Sequence, residues 1–180
     1  MLLWQRPFLY ERGIVMNSKT AAWLKIAGVS GILAPIIAFT CILIATVYSP
    51  KFSWTGNALS DLGVQEGVTG ILFNSGLIIA GILALIFALG LYVFLSDKML
   101  GRIGAFILIL ATLALIMIGT FPENVRPTHY YVSVMFFVLF PISMLVIFMS
   151  FLIIGKVKMG LFTLLAAIVA AAVWIIQFSR

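Results

Sequence analysis

Two short stretches of this chain hold most of the side chains able to do chemistry. One reads TGNALSDLGVQEGVTG, from Thr55 to Gly70, and supplies Asn57, Ser60, Asp61 and Glu66. The other reads GTFPENVRPTHY, from Gly119 to Tyr130, and supplies Glu123, Arg126 and the chain's one histidine, His129. Asp61, Glu123 and His129 give an imidazole and two carboxylates, a set that suits a divalent metal such as zinc or manganese. Water activated on such a metal at a membrane surface would hydrolyse a lipid headgroup ester. In a second version His129 is a general base oriented by Asp61, with Ser60 as nucleophile. Adjacent Ser60 and Asp61 point differently on any regular backbone, and no Gly-x-Ser-x-Gly elbow accompanies them, which weakens that version. In a third, Arg126 and His129 hold the phosphate or carboxylate of a headgroup without catalysis. The plain structural alternative needs no ligand. Asn57 and Ser60 then cap a short interfacial helix, Asp61 pairs with Lys51 or Arg126 for little gain, and His129 bonds a neighbouring carbonyl.

The elements that must position these residues follow from composition. Of 180 residues, 64% are apolar and 9% are charged, and the mean hydropathy is +1.25. Soluble domains sit near about 50% apolar and about 25% charged. A chain of this size leaves roughly a third of its surface exposed, too much to hide such a composition in water. The class is therefore all-α: a polytopic transmembrane helix bundle. The single Cys41 lies inside an apolar run, where it acts as a small buried hydrophobe.

Five segments are long and apolar enough to cross about 30 Å of hydrocarbon, which takes roughly 20 helical residues. They run from Leu24 to Tyr48, Gly70 to Leu95, Gly101 to Thr120, Tyr131 to Ile154 and Met159 to Phe178. Segment length and the need to satisfy backbone groups internally make them helices. Residues 1–23 form a cytoplasmic or interfacial arm and residues 24–180 the transmembrane domain. Short connections at Ser96 to Leu100 and Gly155 to Lys158 force antiparallel neighbours. The two longer connections hold the polar stretches, and five crossings bring both to one face. Asn74 sits one turn inside the second segment from that face.

Direction follows from the basic residues. Arg6, Arg12, Lys19, Lys25, Lys98, Arg102, Lys156 and Lys158 share one face, against Lys51, Arg126 and Arg180 on the other. The richer face is cytoplasmic. This predicts a multi-pass protein of the cell membrane, with its N terminus cytoplasmic and its C terminus extracytoplasmic. The whole net charge of +6 then falls on the inner face, where it attracts anionic headgroups; membrane lipids are the expected partners and nothing reads as nucleic-acid binding. Aromatic residues at segment ends, among them Tyr48, Trp54, Tyr130, Tyr131 and Trp174 outside and Trp23 and Tyr92 inside, fit membrane belts.

Small residues at Gly76, Ala80, Ala84 and Ala88 line one face of the second segment, and Thr163, Ala167 and Ala171 repeat the theme in the fifth. Both are candidate helix–helix seams. Turned toward lipid, the first seam would imply a homo-oligomer. Pro35 and Pro141 each remove an intrahelical hydrogen bond and mark expected kinks. Small-solute transport ranks below the other readings, because no ionisable residue lies in a segment interior. Thr40, Thr112 and Ser143 could line only a narrow polar path. The first fifteen residues are either an interfacial anchor or the product of a start codon placed too far upstream, with Met16 the true start.

The run Asn57-Ala58-Leu59-Ser60-Asp61-Leu62-Gly63, followed by Gly119-Thr120-Phe121-Pro122-Glu123 and then His129, resembles the domain of unknown function 998 family of prokaryotic integral membrane proteins. The likeness runs from about Leu24 to the end. It falls on Asn57, Ser60, Leu62 and Gly63 in the first run, and on Gly119, Phe121, Pro122, Glu123 and His129 in the second. A fainter likeness is to eukaryotic six-helix proteins linked to lipid remodelling. The resemblance implies a shared polar site at the outer face and no settled activity. The expectation is a protein that binds a lipid headgroup or small ligand through Asn57, Ser60, Asn74 and Arg126. A metal-dependent lipid hydrolase or transferase using Asp61, Glu123 and His129 stands as the enzyme alternative.

Overall fold

A computed structural model of the chain describes residues 17–178. The two readings of the first fifteen residues lie outside the described part. Five helices follow one another: α1 (Ser18–Val47), α2 (Val68–Phe94), α3 (Met99–Thr120), α4 (Thr128–Ile153) and α5 (Val157–Phe178), with a short 3-10 turn at Leu59–Leu62 between α1 and α2. All five are long and apolar enough to cross a membrane, and the described residues contain no strand.

Each boundary has a local cause. Asn17 caps α1 by accepting the Lys19 amide at 3.1 Å, so the helix starts six residues before the expected Leu24 and absorbs the end of the predicted arm. Its 30 residues reach about 45 Å at 1.5 Å per residue, more than about 30 Å of hydrocarbon needs. Proline at 122 disfavours helical backbone at Phe121, and α3 stops at Thr120. At the end of α4, Gly155 takes φ +74°, the Gly155 amide reaches the Leu152 carbonyl at 3.0 Å, and the Lys156 amide reaches Phe151 at 2.8 Å. This is the left-handed glycine cap that turns the chain straight into α5. Helices α1 and α4 continue through Pro35 and Pro141.

The helices pack in chain order, α1 on α2, α2 on α3, α3 on α4 and α4 on α5, with α3 the most enclosed. Small residues make the seams. A side chain at Gly76 would strike Cys41 of α1, one at Gly90 would strike Ala27, and one at Gly81 would lie 2.6 Å from Ile116 of α3. The predicted Gly76 to Ala88 seam is thus used inside the chain, and it gives no reason for a partner copy. Thr163 and Ala167 are likewise buried. Two apolar clusters result. One joins Leu91, Leu95, Leu108, Ile147 and Phe151 toward the short connections. The other joins Ala45, Leu62, Phe73, Leu77, Ile118 and Val132 toward the long ones. Leu62 belongs to the loop itself and is fully buried, so the second cluster is the floor on which the polar residues sit.

Candidate functional site

The first polar stretch is held by its own side chains. Asn57 accepts the Ser53 amide at 3.0 Å and donates through Nδ2 to Asp61 Oδ2 at 2.9 Å. The same Asp61 oxygen accepts the Ala58 amide at 3.1 Å. Asp61 therefore caps the 3-10 turn that contains it, as short acidic side chains do where backbone amides lack helical partners. Thr69 closes the loop by donating to the Tyr48 carbonyl at 3.2 Å. Ser60 lies within the turn, half-buried.

Asn74 joins this loop to the rest. Its Nδ2 donates to the Gly63 carbonyl at 2.8 Å. A carbonyl can only accept, so the amide orientation is fixed, with Nδ2 at that oxygen and Oδ1 as the acceptor end of the side chain. Oδ1 is buried and has no partner among the described residues. Two glycines, one from each polar stretch, make room for this residue. A side chain at Gly63 would lie 2.6 Å from Asn74 Oδ1, and one at Gly119 would lie 2.6 Å from the Asn74 backbone oxygen. The two stretches thus meet at one residue of α2.

From Gly119 the chain leads directly to the rest of the cluster. His129 is buried, with 8% of its surface exposed, and its Nδ1 lies 2.7 Å from the Phe121 carbonyl oxygen. That oxygen needs a donor, so Nδ1 carries the hydrogen, and in the neutral ring Nε2 keeps a lone pair. Glu123 Oε1 pairs with Arg126 at 3.0 Å, with side-chain exposures of 26% and 75% for the acid and the base. Glu123 Oε2 is buried and without a partner among the described residues. The Val125 amide turns back to the Pro122 carbonyl at 2.8 Å, which shapes the connection.

This geometry sorts the sequence-derived site residues. Asn74, Gly63 and Gly119 bring the two stretches together, while Glu123, Arg126 and His129 gather around the Phe121–Pro122 turn. Asp61 does not orient His129; the Phe121 carbonyl does, and Asp61 is committed to Asn57 and Ala58. The expected pairing of Asp61 with Lys51 or Arg126 is likewise replaced, because Glu123 stands three residues from Arg126 and takes it. Among the described residues no three His, Cys, Asp or Glu side chains come together to hold a metal ion. The reason is local: Asp61, the farthest of the proposed trio in sequence, already has its capping bonds. The bond of His129 to a neighbouring carbonyl is the one the ligand-free alternative expected, with Phe121 as the acceptor, whereas the Gly63 carbonyl as the partner of Asn74 was missed. Gly63 in the quoted run was its only trace.

The fold defines a multi-pass helical membrane protein. A family model described as "Protein of unknown function (DUF998)" matches residues 32–179. The chain belongs to that family, a membrane family of unknown function. No curated protein and no solved structure matches it.

Proposed function

We propose that the chain is a cell-membrane binding protein whose loop end faces the extracytoplasmic side and holds a lipid headgroup or small polar ligand. The direction rests on the basic residues, which favour a cytoplasmic opposite end. The observation that carries the reading is the pair of buried, unpartnered acceptors, Asn74 Oδ1 and Glu123 Oε2. Burying such an oxygen without a donor costs on the order of 1–3 kcal/mol. Both lie at the loop end, one on α2 and one in the connection from α3 to α4, and they suit a ligand that brings donors. Arg126, three-quarters exposed, adds a guanidinium for an anionic group.

The enzyme alternative has less support. Hydrolysis by a metal-bound water needs ligands that converge, and Asp61 is turned to its own loop. Transport is also less favoured. Thr112 donates to the Ile109 carbonyl at 2.8 Å and Ser143 to Phe140 at 2.7 Å, so these hydroxyls are spent on their own helices, and Thr40 is exposed on the lipid-facing side of α1. Native mass spectrometry of the full chain released from mild detergent tests the binding reading. Wild type should retain a phospholipid or polar adduct, and Glu123→Leu should lose it. Equal adducts on both proteins, or none on wild type, would remove the support.

A further inference from the structure

We infer that the connection from α1 to α2 is seated in the membrane interface, with Trp54 as the residue that docks on the lipid leaflet at the loop end. Neither the ligand reading nor the assigned direction is needed for it. The connection is folded down onto the bundle. Thr69, in the first turn of α2, donates to the Tyr48 carbonyl at the end of α1 at 3.2 Å, which ties the two helix ends together. Between them Ser49 and Leu62 are buried. Phe52 packs against the apolar cluster that contains Ala45, Phe73 and Leu77. Ala45 belongs to the last turn of α1, and Phe73 and Leu77 to the second and third turns of α2. Phe52 is therefore held at the depth of the helix ends and not above it. The Trp54 ring stands edge-on to the Phe52 ring, with centroids 5.4 Å apart, so the indole is kept close to that depth.

The turn that carries Trp54 is closed by its own bonds. The Asn57 amide donates to the Ser53 carbonyl at 2.9 Å and the Gly56 amide to Ser53 Oγ at 3.2 Å. Trp54 is nevertheless 60% exposed, and Leu59 and Val64 of the same connection are exposed too. This apolar surface runs on into exposed Val47 at the end of α1 and exposed Val68 at the start of α2, where a membrane-spanning bundle meets lipid. Exposed apolar surface continuous with a lipid-facing boundary marks a membrane contact. A tryptophan has an apolar body and one N–H donor, which suits the level between hydrocarbon and headgroups. Lys51 and Glu66, the exposed charges of the connection, have opposite signs. The seating thus rests on apolar surface and not on headgroup charge.

The experiment uses the full chain in nanodiscs of phosphatidylcholine. The sequence holds four tryptophans, and Trp4→Phe, Trp23→Phe and Trp174→Phe together leave Trp54 as the one reporter. Lipid brominated near the top of the acyl chain should remove most of the Trp54 emission, lipid brominated near the chain end less, and iodide in the water least. Trp174 stacks on Phe137, so a second variant guards against a triple replacement that does not fold. A nitroxide on Trp54→Cys in a Cys41→Ala background should collide more with oxygen than with a water-soluble nickel chelate. Emission lost mainly to iodide, or a nitroxide met mainly by nickel, would put the connection in water and overturn the inference. A residue that none of these probes reaches would be covered by protein, which would overturn it as well.

Discussion

Gly63→Ala and Gly119→Ala test how the two polar stretches meet, because they fail against different atoms of the same residue. At position 119 the new methyl would lie 2.6 Å from the Asn74 backbone oxygen and 3.2 Å from the Ile78 amide nitrogen. Neither can move without shifting α2. Overpacking of this kind costs about 1–3 kcal/mol, and better helix propensity returns at most about 1 kcal/mol. With the full return the net loss is about 0–2 kcal/mol, up to a factor of roughly 30 in the folding equilibrium. At position 63 the backbone is already in the helical region, with φ −71° and ψ −20°, so an alanine is not strained. Its methyl instead meets the Asn74 side chain at 2.6 Å and displaces the amide from the Gly63 carbonyl, at a cost of about 1–3 kcal/mol. The assay is unfolding in mixed micelles, repeated in an Asn74→Ala background. Truncating Asn74 should remove about half or more of the Gly63→Ala cost, the remainder coming from Phe73 at 3.1 Å. The Gly119→Ala cost should survive unchanged, since the backbone oxygen is still there. Equal relief of both, or of neither, would refute the proposed meeting at Asn74.

Leu62→Ala removes the loop's fully buried anchor and should cost about 2–5 kcal/mol by the same unfolding assay, with protease cleavage appearing in the segment between Tyr48 and Gly67. Asn57→Ala and Asp61→Ala should each destabilise by about 1–2 kcal/mol as lost caps, and the double variant should cost clearly less than their sum because they share one bond. In a Cys41→Ala background, a maleimide reagent that cannot cross the membrane should label Glu66→Cys in intact cells and Lys156→Cys only after permeabilisation; the reverse pattern would invert the assigned direction.

The helices were legible because lipid leaves few choices: apolar length fixes their number, and prolines and glycines fix their ends. Phe121–Pro122 ended α3 where the sequence predicts. The start of α1 differed because Asn17 caps it, and an asparagine ahead of the charged Lys19 carries no hydropathy signal. That the two polar stretches share an end followed from crossing parity alone. What they do there was less readable. Asp61 is as acidic as Glu123, yet one closes its own loop and the other keeps a free buried oxygen. That difference depends on whether a backbone amide lies three residues back in a turn, which composition does not report. Asn74 was readable only as a polar residue near the right depth. Its role depends on Gly63 and Gly119, which come together only in the folded chain.

Asn74 and His129 are oriented at the loop end by bonds to the backbone carbonyls of Gly63 and Phe121. His129 is the chain's single histidine, so labelled histidine gives one assignable ring. Solid-state nitrogen NMR of the protein in bilayers, purified with a histidine-free tag, therefore reads the arrangement directly. A hydrogen on Nδ1, a bare Nε2 in the neutral ring and a through-space correlation from Nδ1 to the Phe121 carbonyl are the predicted result. A hydrogen on Nε2, or a correlation from Nδ1 to the Asp61 carboxylate, would contradict it.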